Sequence, residues 1–445
     1  MTRRLSFATP FLVAIFTVVS LYAGNADRLD AGQMVVPMVF ALAIAGLFLL
    51  LFWLFPPTNE AAPLVASSFT VSFLIWHTMP WYILVMLLAV TLLIGVWGKR
   101  STTAGTLFLC AILAFAIITS GAMVVGGAAE RTSSLNPNIY TYRPGQPNIY
   151  FIVPDRMPSF AAMRESGIDP DRTLADLRAL GFYVNENQLS QDPYTVDYSG
   201  EVHTTRTMRF FASVLNGGQS IPMAIPYQDC RAMIKGNSAF TQLHAAGYKI
   251  KNVASWFAET SSFTNADENL TYQNVSFLER LFQHELSVAY FKRTIMAGLN
   301  LRVWESDDPQ RRVETGRLMW QRERILEVAK SGETSTFVIA HLLFPHEPYI
   351  YADPADTIPA QYQSNIRAAL SFIDELAASI RLLDPSAIII IQSDEGMAYR
   401  KPAELNNGLS PVQWNGVFTA WYLPDYAGDK DKIKHTEILG EVIKK

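Results

Sequence analysis

Charged residues are almost missing from the first 130 positions, and this limits the chain to a membrane part followed by a soluble part. Only nine of the 36 basic and 40 acidic residues lie there. A transmembrane helix needs about 20 mostly apolar residues, and this part of the chain supplies five such runs. The predicted spans are 5–24, 34–55, 61–77, 80–97 and 104–126.

Basic residues predict how these spans are oriented. Arg3 and Arg4 precede the first span, and Lys99 and Arg100 follow the fourth. Basic loops stay on the cytoplasmic side, so five spans place both pairs there and the rest of the chain outside. A cleaved signal peptide is the alternative for the first apolar run, although no clear small-residue cleavage site follows it. We therefore predict a multi-pass transmembrane domain over residues 1–126.

The soluble part follows a polar linker rich in proline and glycine, residues 127–147. Over residues 148–445, apolar runs typical of strands alternate with helical patterns such as residues 360–383. Strands that are apolar throughout and are separated by helices indicate a mostly parallel α/β sheet covered on both faces by helices. The predicted strands lie within 148–155, 181–187, 247–255, 336–345, 387–394 and 416–424.

Charge and cysteine content exclude several classes of protein. A net charge of −4 without a basic stripe gives no case for nucleic-acid binding. Cys110 and Cys230 are the two cysteines, which excludes a disulfide framework and a cysteine-based zinc site. A transporter is disfavoured because the predicted spans contain almost no charge.

Acidic residues and histidines follow several predicted strands. Asp155 ends the first strand, and Asp394 and Glu395 end the isoleucine-rich strand IIIIQSDEG. His341 and His346 lie at the end of AHLLFPHEP. Ligands of α/β sheets gather at the carboxyl ends of the strands. These side chains together indicate a metal site, although each acid alone could be a solvated strand end.

A hydroxyl group at a helix start is the candidate nucleophile. Thr207 could open a helix that Gly217 and Gly218 end. Free N–H groups and the helix dipole would favour negative charge at its hydroxyl. A plain N-cap is the alternative role of this threonine. Thr204 and Thr205 are the alternative nucleophiles.

In chain order, four motifs resemble the sulfatase-like branch of the alkaline phosphatase superfamily. They are PNIYFIVPDRMPS, T-x-x-F-x-A-S-V-L-N from Thr207, TFVIAHLLFPHEPYIY and IIIIQSDEG. The resemblance covers about residues 148–424. Membrane-anchored members include lipoteichoic acid synthases and phosphoethanolamine transferases, which typically have five spans and then an extracytoplasmic catalytic domain. The resemblance implies an alkaline-phosphatase-like α/β domain outside a bacterial cytoplasmic (inner) membrane.

The resemblance also implies roles for individual residues. Asp155 and Asp394 would bind one divalent metal ion, and Thr207 would be both ligand and nucleophile. Glu395 stands where members usually have histidine, and as a ligand it would make an all-oxygen set that favours Mn²⁺ or Mg²⁺ over Zn²⁺. His346, or else His341, would bind the substrate phosphate or assist the leaving group.

Further residues next to the predicted site could contact substrate. Arg156, Arg206 and Arg209 could clamp a phosphate, although each could be an ordinary surface arginine. Trp256 could line the substrate pocket or belong to the core. His244, His284 and His435 belong to no motif and receive no role.

We therefore expect a membrane-bound, metal-dependent phosphotransferase. It would move a phosphoglycerol or phosphoethanolamine group from a phospholipid to an envelope glycan or lipid through Thr207. The same motifs fit a phosphoester or sulfuric ester hydrolase, although the formylglycine signature C/S-x-P-x-R of true sulfatases is absent. A catalytically inactive, envelope-binding member is the third hypothesis, because Glu395 replaces the usual histidine. Oligomeric state is not indicated.

Overall fold

The computed structural model divides the chain into two compact units, Met1–Asn136 with Ser276–Ser306, and Pro137–Val275 with Asp307–Lys445. The first unit thus includes a segment from the second half of the chain, which no sequence pattern indicated. The residues that the structure describes are 7–23, 31–54, 62–74, 144–190, 206–222, 225–273, 285–291, 293–294, 307–397, 409–424 and 428–443.

The described part of the first unit is helical. Buried apolar side chains from its helices form one cluster, and the Tyr290 hydroxyl lies 2.9 Å from Thr17 Oγ1. The helices are α1 (Thr9–Ala23), α2 (Val35–Leu54), α3 (Ala62–Leu74) and α9 (Glu285–Phe291), with a 3₁₀ turn at Ala31–Met34.

Within the described residues, one helix is long and apolar enough to cross a membrane, Gly32–Leu54 with 23 residues. Helix α1 is apolar but shorter. The predicted spans 80–97 and 104–126, and the basic loop between them, lie outside the described residues. Five spans therefore remain a prediction.

A seven-stranded sheet forms the centre of the second unit, in the order β2-β7-β6-β1-β5-β3-β4. The pairs from β6 through β1, β5 and β3 to β4 are parallel, whereas β7 pairs antiparallel with both β6 and β2. This confirms the predicted, mostly parallel α/β sheet. The strands are β1 (Ile149–Pro154), β2 (Tyr183–Val184), β3 (Lys249–Val253), β4 (Glu268–Leu270), β5 (Thr336–Leu342), β6 (Ile388–Gln392) and β7 (Thr419–Tyr422).

Helices cover both faces of this sheet. Tyr150 and Ile152 of β1 join the apolar cluster on one face, and Phe151 and Val153 join the cluster on the other. Because both faces are buried, the strands read as continuous apolar runs. The helices are α4 (Phe160–Glu165), α5 (Asp171–Ala179), α6 (Arg206–Val214), α7 (Tyr227–Lys235), α8 (Ser238–Ala245), α10 (Asp307–Ser331), α11 (Ile358–Leu383), α12 (Pro411–Asn415) and α13 (Ile438–Ile443).

Candidate metal centre

Strand register brings two of the predicted acids together. β1 and β6 run parallel, with Ile152 opposite Ile391, so Asp155 and Asp394 stand opposite each other just beyond the strand ends. On the other side of β1, His341 of β5 is opposite Val153. Since side chains alternate along a strand, Val153, Asp155 and His341 share one face of the sheet.

The three side chains form a compact, buried cluster. One ligand atom each of Asp155, His341 and Asp394 lies within 4.8 Å of the other two, and His341 Nε2 is 3.9 Å from Asp155 Oδ2. Asp155 Oδ1, His341 Nε2 and Asp394 Oδ2 are buried without a hydrogen-bond partner in the described part of the chain. Buried polar atoms are normally paired. Three unpaired ligand atoms in one place fit a divalent metal ion, which would satisfy all of them.

The electrostatics of the cluster agree with a cation site. Burial, and then the charge of Asp394, raises the pKa of Asp155 well above its usual range. Burial also raises the pKa of Asp394 to about 6, the charge of Glu395 adds to the rise, and the neighbouring Thr207 side chain opposes it. Two adjacent buried carboxylates disfavour each other's ionised form. A bound cation would instead favour the ionised form of both carboxylates.

The environment of His341 holds its ring neutral and oriented. Burial lowers the pKa of His341 to about 3, and the rings of Phe211 and Phe257 pack edge-on against the imidazole at 4.9 and 5.6 Å. His341 Nδ1 lies 2.9 Å from Thr260 Oγ1. When Nδ1 donates its proton to Thr260, Nε2 presents a lone pair to the cluster, as in metal-binding histidines. The sequence hypothesis assigned His341 to substrate instead.

Thr207 lies at the first turn of α6, whose first described residue is Arg206. Its side chain is buried and lies close enough to the Asp394 carboxylate to oppose the rise in that group's pKa. After the helix, Gly217 and Gly218 adopt positive φ angles of 77° and 79°, conformations that glycine tolerates best. The predicted helix after Thr207 is therefore present. The alternatives Thr204 and Thr205 lie outside the described residues.

Main-chain contacts orient the Asp394 carboxylate. Its Oδ1 accepts hydrogen bonds from the N–H groups of Arg156 (3.2 Å) and Glu395 (2.9 Å). The Ser393 hydroxyl donates to the Glu395 carbonyl at 2.6 Å and accepts from the Met157 N–H at 3.1 Å. Asp394 Oδ1 is thus bonded to the main chain, and Asp394 Oδ2 faces the cluster.

Glu395, predicted as a metal ligand, is placed elsewhere by the structure. Arg156 Nε donates to Glu395 Oε1 at 2.6 Å in an ion pair, and Glu395 is not part of the ligand cluster. Arg156 has a φ of 61°, which is unusual for a residue other than glycine. Its N–H bond to Asp394 and a 2.5 Å hydrogen bond from the Tyr362 hydroxyl to its carbonyl hold this conformation.

Two of the predicted substrate residues are engaged in other contacts. Arg206 donates to the Trp414 carbonyl at 3.1 Å and to Asn415 Oδ1 at 3.4 Å, so it anchors α12. Trp256 lies next to Glu314 of α10, where it opposes the rise that burial causes in the pKa of that carboxyl. Neither contact is an anion clamp.

Two further predicted substrate residues, Arg209 and His346, remain candidates. Arg209 is buried, and its Nε has no hydrogen-bond partner in the described residues. His346 lies in the loop after β5, with Nδ1 2.5 Å from the Glu347 carbonyl. A carbonyl only accepts, so Nδ1 carries a proton. The charge of Glu347 also acts on Arg156, which places this loop beside the ion pair.

Sequence reasoning missed Thr260 and His435. Thr260 contacts His341, and His435 Nε2 lies 2.6 Å from the carbonyl oxygen of Ser393, the residue before Asp394. Neither stands in a motif, so only the fold reveals them. Gln392 is also notable, because both polar atoms of its buried side chain lack partners in the described region.

Comparisons with known proteins give structural likenesses alone. No protein-family model and no curated protein matches the chain. The C-terminal periplasmic domain of EcEptC from Escherichia coli is 16% identical over 70% of this chain and 84% of its own, with a TM-score of 0.38. The integral membrane lipooligosaccharide phosphoethanolamine transferase A (EptA) from Neisseria meningitidis is 12% identical over 95% and 88%, with a TM-score of 0.36.

A third solved structure is the C-terminal periplasmic domain of phosphoethanolamine transferase EptC from Campylobacter jejuni. It is 10% identical over 64% of this chain and 81% of its own, with a TM-score of 0.37. Two of these three structures are phosphoethanolamine transferases by name, the class that the sequence motifs resemble. At these identities and scores the likenesses assign no function, which has to be argued from the site itself.

Proposed function

We propose that the protein is a membrane-bound, metal-dependent phosphotransferase with Thr207 as its nucleophile. It would take a phosphoglycerol or phosphoethanolamine group from a phospholipid and pass it to an envelope glycan or lipid outside a bacterial cytoplasmic membrane. One observation carries the proposal. The buried Thr207 side chain, in the first turn of α6, lies next to the Asp394 carboxylate and opposes the rise in its pKa, and Asp394 belongs to a cluster with three unpaired ligand atoms.

One divalent ion would be held by Asp155, His341 and Asp394, with the Thr207 hydroxyl as a fourth donor. When bound, it would act as a Lewis acid at the phosphoryl oxygens. The earlier preference for Mn²⁺ depended on Glu395 as an oxygen ligand. With the imidazole of His341 in its place, the donor set also suits Zn²⁺.

The chain's own residues account for the proton transfers. As the Thr207 Oγ1–phosphorus bond forms and the phosphorus–lipid oxygen bond breaks, the hydroxyl proton passes to the Asp394 carboxylate. The departing lipid alkoxide takes a proton from the protonated imidazole of His346. In the second step an acceptor hydroxyl attacks phosphorus and gives its proton to the now neutral His346. The phosphorus–Thr207 Oγ1 bond breaks, and Thr207 Oγ1 takes back the proton held by Asp394.

The contacts of Arg156 favour a zwitterionic donor. Arg156 and Glu395 put a positive and a negative group side by side, with side chains 21% and 11% exposed. A phosphate could contact the guanidinium while an ammonium contacts the carboxylate. Phosphoethanolamine offers both charges and phosphoglycerol only one, so we favour phosphatidylethanolamine as the donor.

Trapping the intermediate tests this function. The full chain, reconstituted in vesicles containing headgroup-labelled phosphatidylethanolamine or phosphatidylglycerol with Zn²⁺ or Mn²⁺, would be quenched and examined by mass spectrometry. We expect the label on Thr207, its loss in Thr207→Ala, and its retention in Thr207→Ser and Thr205→Ala. Label on Thr205 would contradict the assigned nucleophile, and no label with either lipid and either ion would refute the transferase.

The same experiment separates transfer from hydrolysis. Without an added acceptor glycan or lipid, a hydrolase releases the free headgroup phosphate continuously, whereas a transferase accumulates the Thr207 adduct. A catalytically inactive binding protein would give neither product. The acceptor-free reaction is therefore decisive among the three hypotheses.

A further inference from the structure

His435 lies close to the chain's end, within a 3₁₀ turn at His435–Glu437, and is 1% exposed. Its Nε2 lies 2.6 Å from the carbonyl oxygen of Ser393, the residue before Asp394. Its Nδ1 lies 2.9 Å from Thr419 Oγ1 of β7. Since a carbonyl only accepts, Nε2 carries the proton, and the neutral ring accepts from Thr419 at Nδ1. Both nitrogens are thus committed to single partners.

The bond from His435 replaces a missing main-chain partner. The Ser393 N–H still donates to the Phe418 carbonyl at 2.9 Å, which continues the pairing of β6 with β7. For the Ser393 carbonyl, His435 is the one donor found among the described residues. This imidazole therefore fixes the peptide group from which Asp394 projects.

The same ring also contacts the helix that carries the nucleophile. The imidazole packs on Phe210 of α6, with ring centroids 5.3 Å apart. The turn fits tightly against the end of that helix, because a Cβ atom on Gly218 would lie 2.7 Å from Glu437 Cγ and 3.0 Å from the Thr436 carbonyl. His435 therefore touches both the Asp394 loop and the Thr207 helix, which lie far apart in sequence.

We propose that His435 is a positioning residue, which holds Asp394 and Thr207 at the relative positions that metal binding and attack on phosphorus require. It touches neither substrate nor metal ion and acts through the Ser393 carbonyl and Phe210. The inference rests on the proposed function for its kinetic consequence, but its effect on ion affinity is independent of that function. Misplacing reacting groups by about 1 Å can cost about 100-fold in rate.

Three substitutions of His435 separate its hydrogen bond from its bulk. His435→Phe keeps an aromatic ring on Phe210 but removes the donor. His435→Gln puts an amide N–H near the former Nε2, whereas the shorter side chain of His435→Asn puts it near the former Nδ1. We expect kcat to fall about 10- to 100-fold in His435→Phe with KM nearly unchanged. His435→Gln should recover most of this loss, and His435→Asn should not.

A matched control is His244, a second buried histidine of the same domain. Its Nε2 lies 3.0 Å from Asp267 Oδ2, beside the amino end of β3 and away from the cluster. His244→Phe should lower the unfolding temperature without changing kcat or ion affinity. If it lowered kcat as much as His435→Phe, general loss of packing would explain both, and the positioning role would be wrong.

The readouts are kcat and KM of the full chain in vesicles, and Zn²⁺ affinity of the metal-free protein by calorimetry. Equal kcat in His435→Phe and His435→Gln at equal unfolding temperature, or wild-type kcat in His435→Phe, would overturn the proposal. If His435→Phe fails to fold, Thr419→Val serves instead, because it removes the donor to Nδ1 and should lower Zn²⁺ affinity several-fold. An unchanged affinity there would also overturn it.

Failure of the proposed function would look different. If the wild type binds Zn²⁺ but transfers no phosphoryl group, the proposed function is wrong. The Zn²⁺ affinities of the His435 variants would still test the positioning role. ¹⁵N-histidine NMR adds a direct readout, since we expect the Nε2–H tautomer for His435 at neutral pH. An Nδ1–H tautomer would exclude the bond to Ser393.

Discussion

Acidic side chains lie both where the strands of the central sheet begin, here called the amino edge, and where they end, the carboxyl edge. The two groups differ in how completely their oxygens are hydrogen-bonded. At the amino edge, Asp384 accepts hydrogen bonds from Asn148 Nδ2 (2.8 Å), the Tyr150 hydroxyl (3.2 Å) and the Ser386 hydroxyl (3.1 Å). At the carboxyl edge, Asp155 and Asp394 each keep a buried oxygen without a partner in the described residues. The first arrangement is complete by itself, whereas the second needs a cation.

This difference separates a structural network from a functional one. A saturated network stabilises the fold, because each buried polar group has replaced its water. An unsaturated cluster of like charges destabilises the metal-free fold, and such sites are retained where they bind or react. Substitutions at the amino edge should therefore change mainly the stability of the fold, whereas substitutions at the carboxyl edge should change mainly ion affinity and activity.

The largest effect should come from Thr207→Ala at the carboxyl edge. Loss of the nucleophile should lower the transfer rate at least about 1,000-fold, because the proposed covalent intermediate forms on its hydroxyl. The free energy of unfolding should change by no more than about 2 kcal/mol. Rates with labelled phosphatidylethanolamine and denaturant unfolding measure the two quantities, with Thr207→Ser as the control. A rate within tenfold of wild type would place the nucleophile elsewhere.

The next largest effect contrasts Asp394→Asn with Asp384→Asn. The first removes a charged ligand and should weaken Zn²⁺ binding at least about 100-fold, yet the metal-free protein should be as stable as wild type or more so, since a buried unpaired charge is gone. The second should leave Zn²⁺ affinity unchanged and destabilise by about 1–3 kcal/mol. Calorimetry and chemical unfolding check both. Equal effects of the two variants on ion affinity would remove the distinction between the edges.

A smaller effect is the pH dependence of the metal-free protein. Burial raises the pKa of Asp394 from 3.8 to about 6, and that of Asp155 rises as well. The folded state then binds more protons than the unfolded state between these values. Stability should therefore fall as pH rises from about 4 through 6, and added Zn²⁺ should stabilise more at pH 7 than at pH 5. Thermal unfolding with EDTA or Zn²⁺ measures this. A Zn²⁺ effect independent of pH, or one retained in Asp394→Asn, would contradict it.

The sequence predicted six of the seven strands of this sheet, and the acids that follow two of them, because these signals are local. Continuous apolar runs mark β1 and β6, and Asp155 and Asp394 follow the strand ends within two residues. Strand β4 was missed because its three residues, Glu268–Leu270, form no apolar run. The long helix α10 was missed because charged residues interrupt its apolar pattern.

The roles of Glu395, His341 and Arg206 depend on where their side chains point and on contacts with residues distant in the sequence. Glu395 follows Asp394 directly, but both lie in a bend after β6, where alternation does not fix side-chain direction, and only the fold shows that the Glu395 carboxylate pairs with Arg156. His341 lies on the face of Val153 because of the register between β5 and β1, which the sequence does not show. The partners of Arg206 come from α12, about 200 positions later in the chain, and no local pattern reveals them.

The smallest effect, and the sharpest test of ligand identity, is Glu395→Gln. It breaks a partly exposed ion pair with Arg156, which should cost about 1 kcal/mol or less in stability. Loss of the carboxylate should raise the KM for phosphatidylethanolamine several-fold without raising that for phosphatidylglycerol. As a control, Glu186→Gln breaks the surface pair with Arg164 (2.8 Å) and should change neither. KM values in vesicles and Zn²⁺ calorimetry decide the matter. If Glu395→Gln weakened Zn²⁺ binding as strongly as Asp394→Asn, Glu395 would be a ligand and His341 would return to the substrate role.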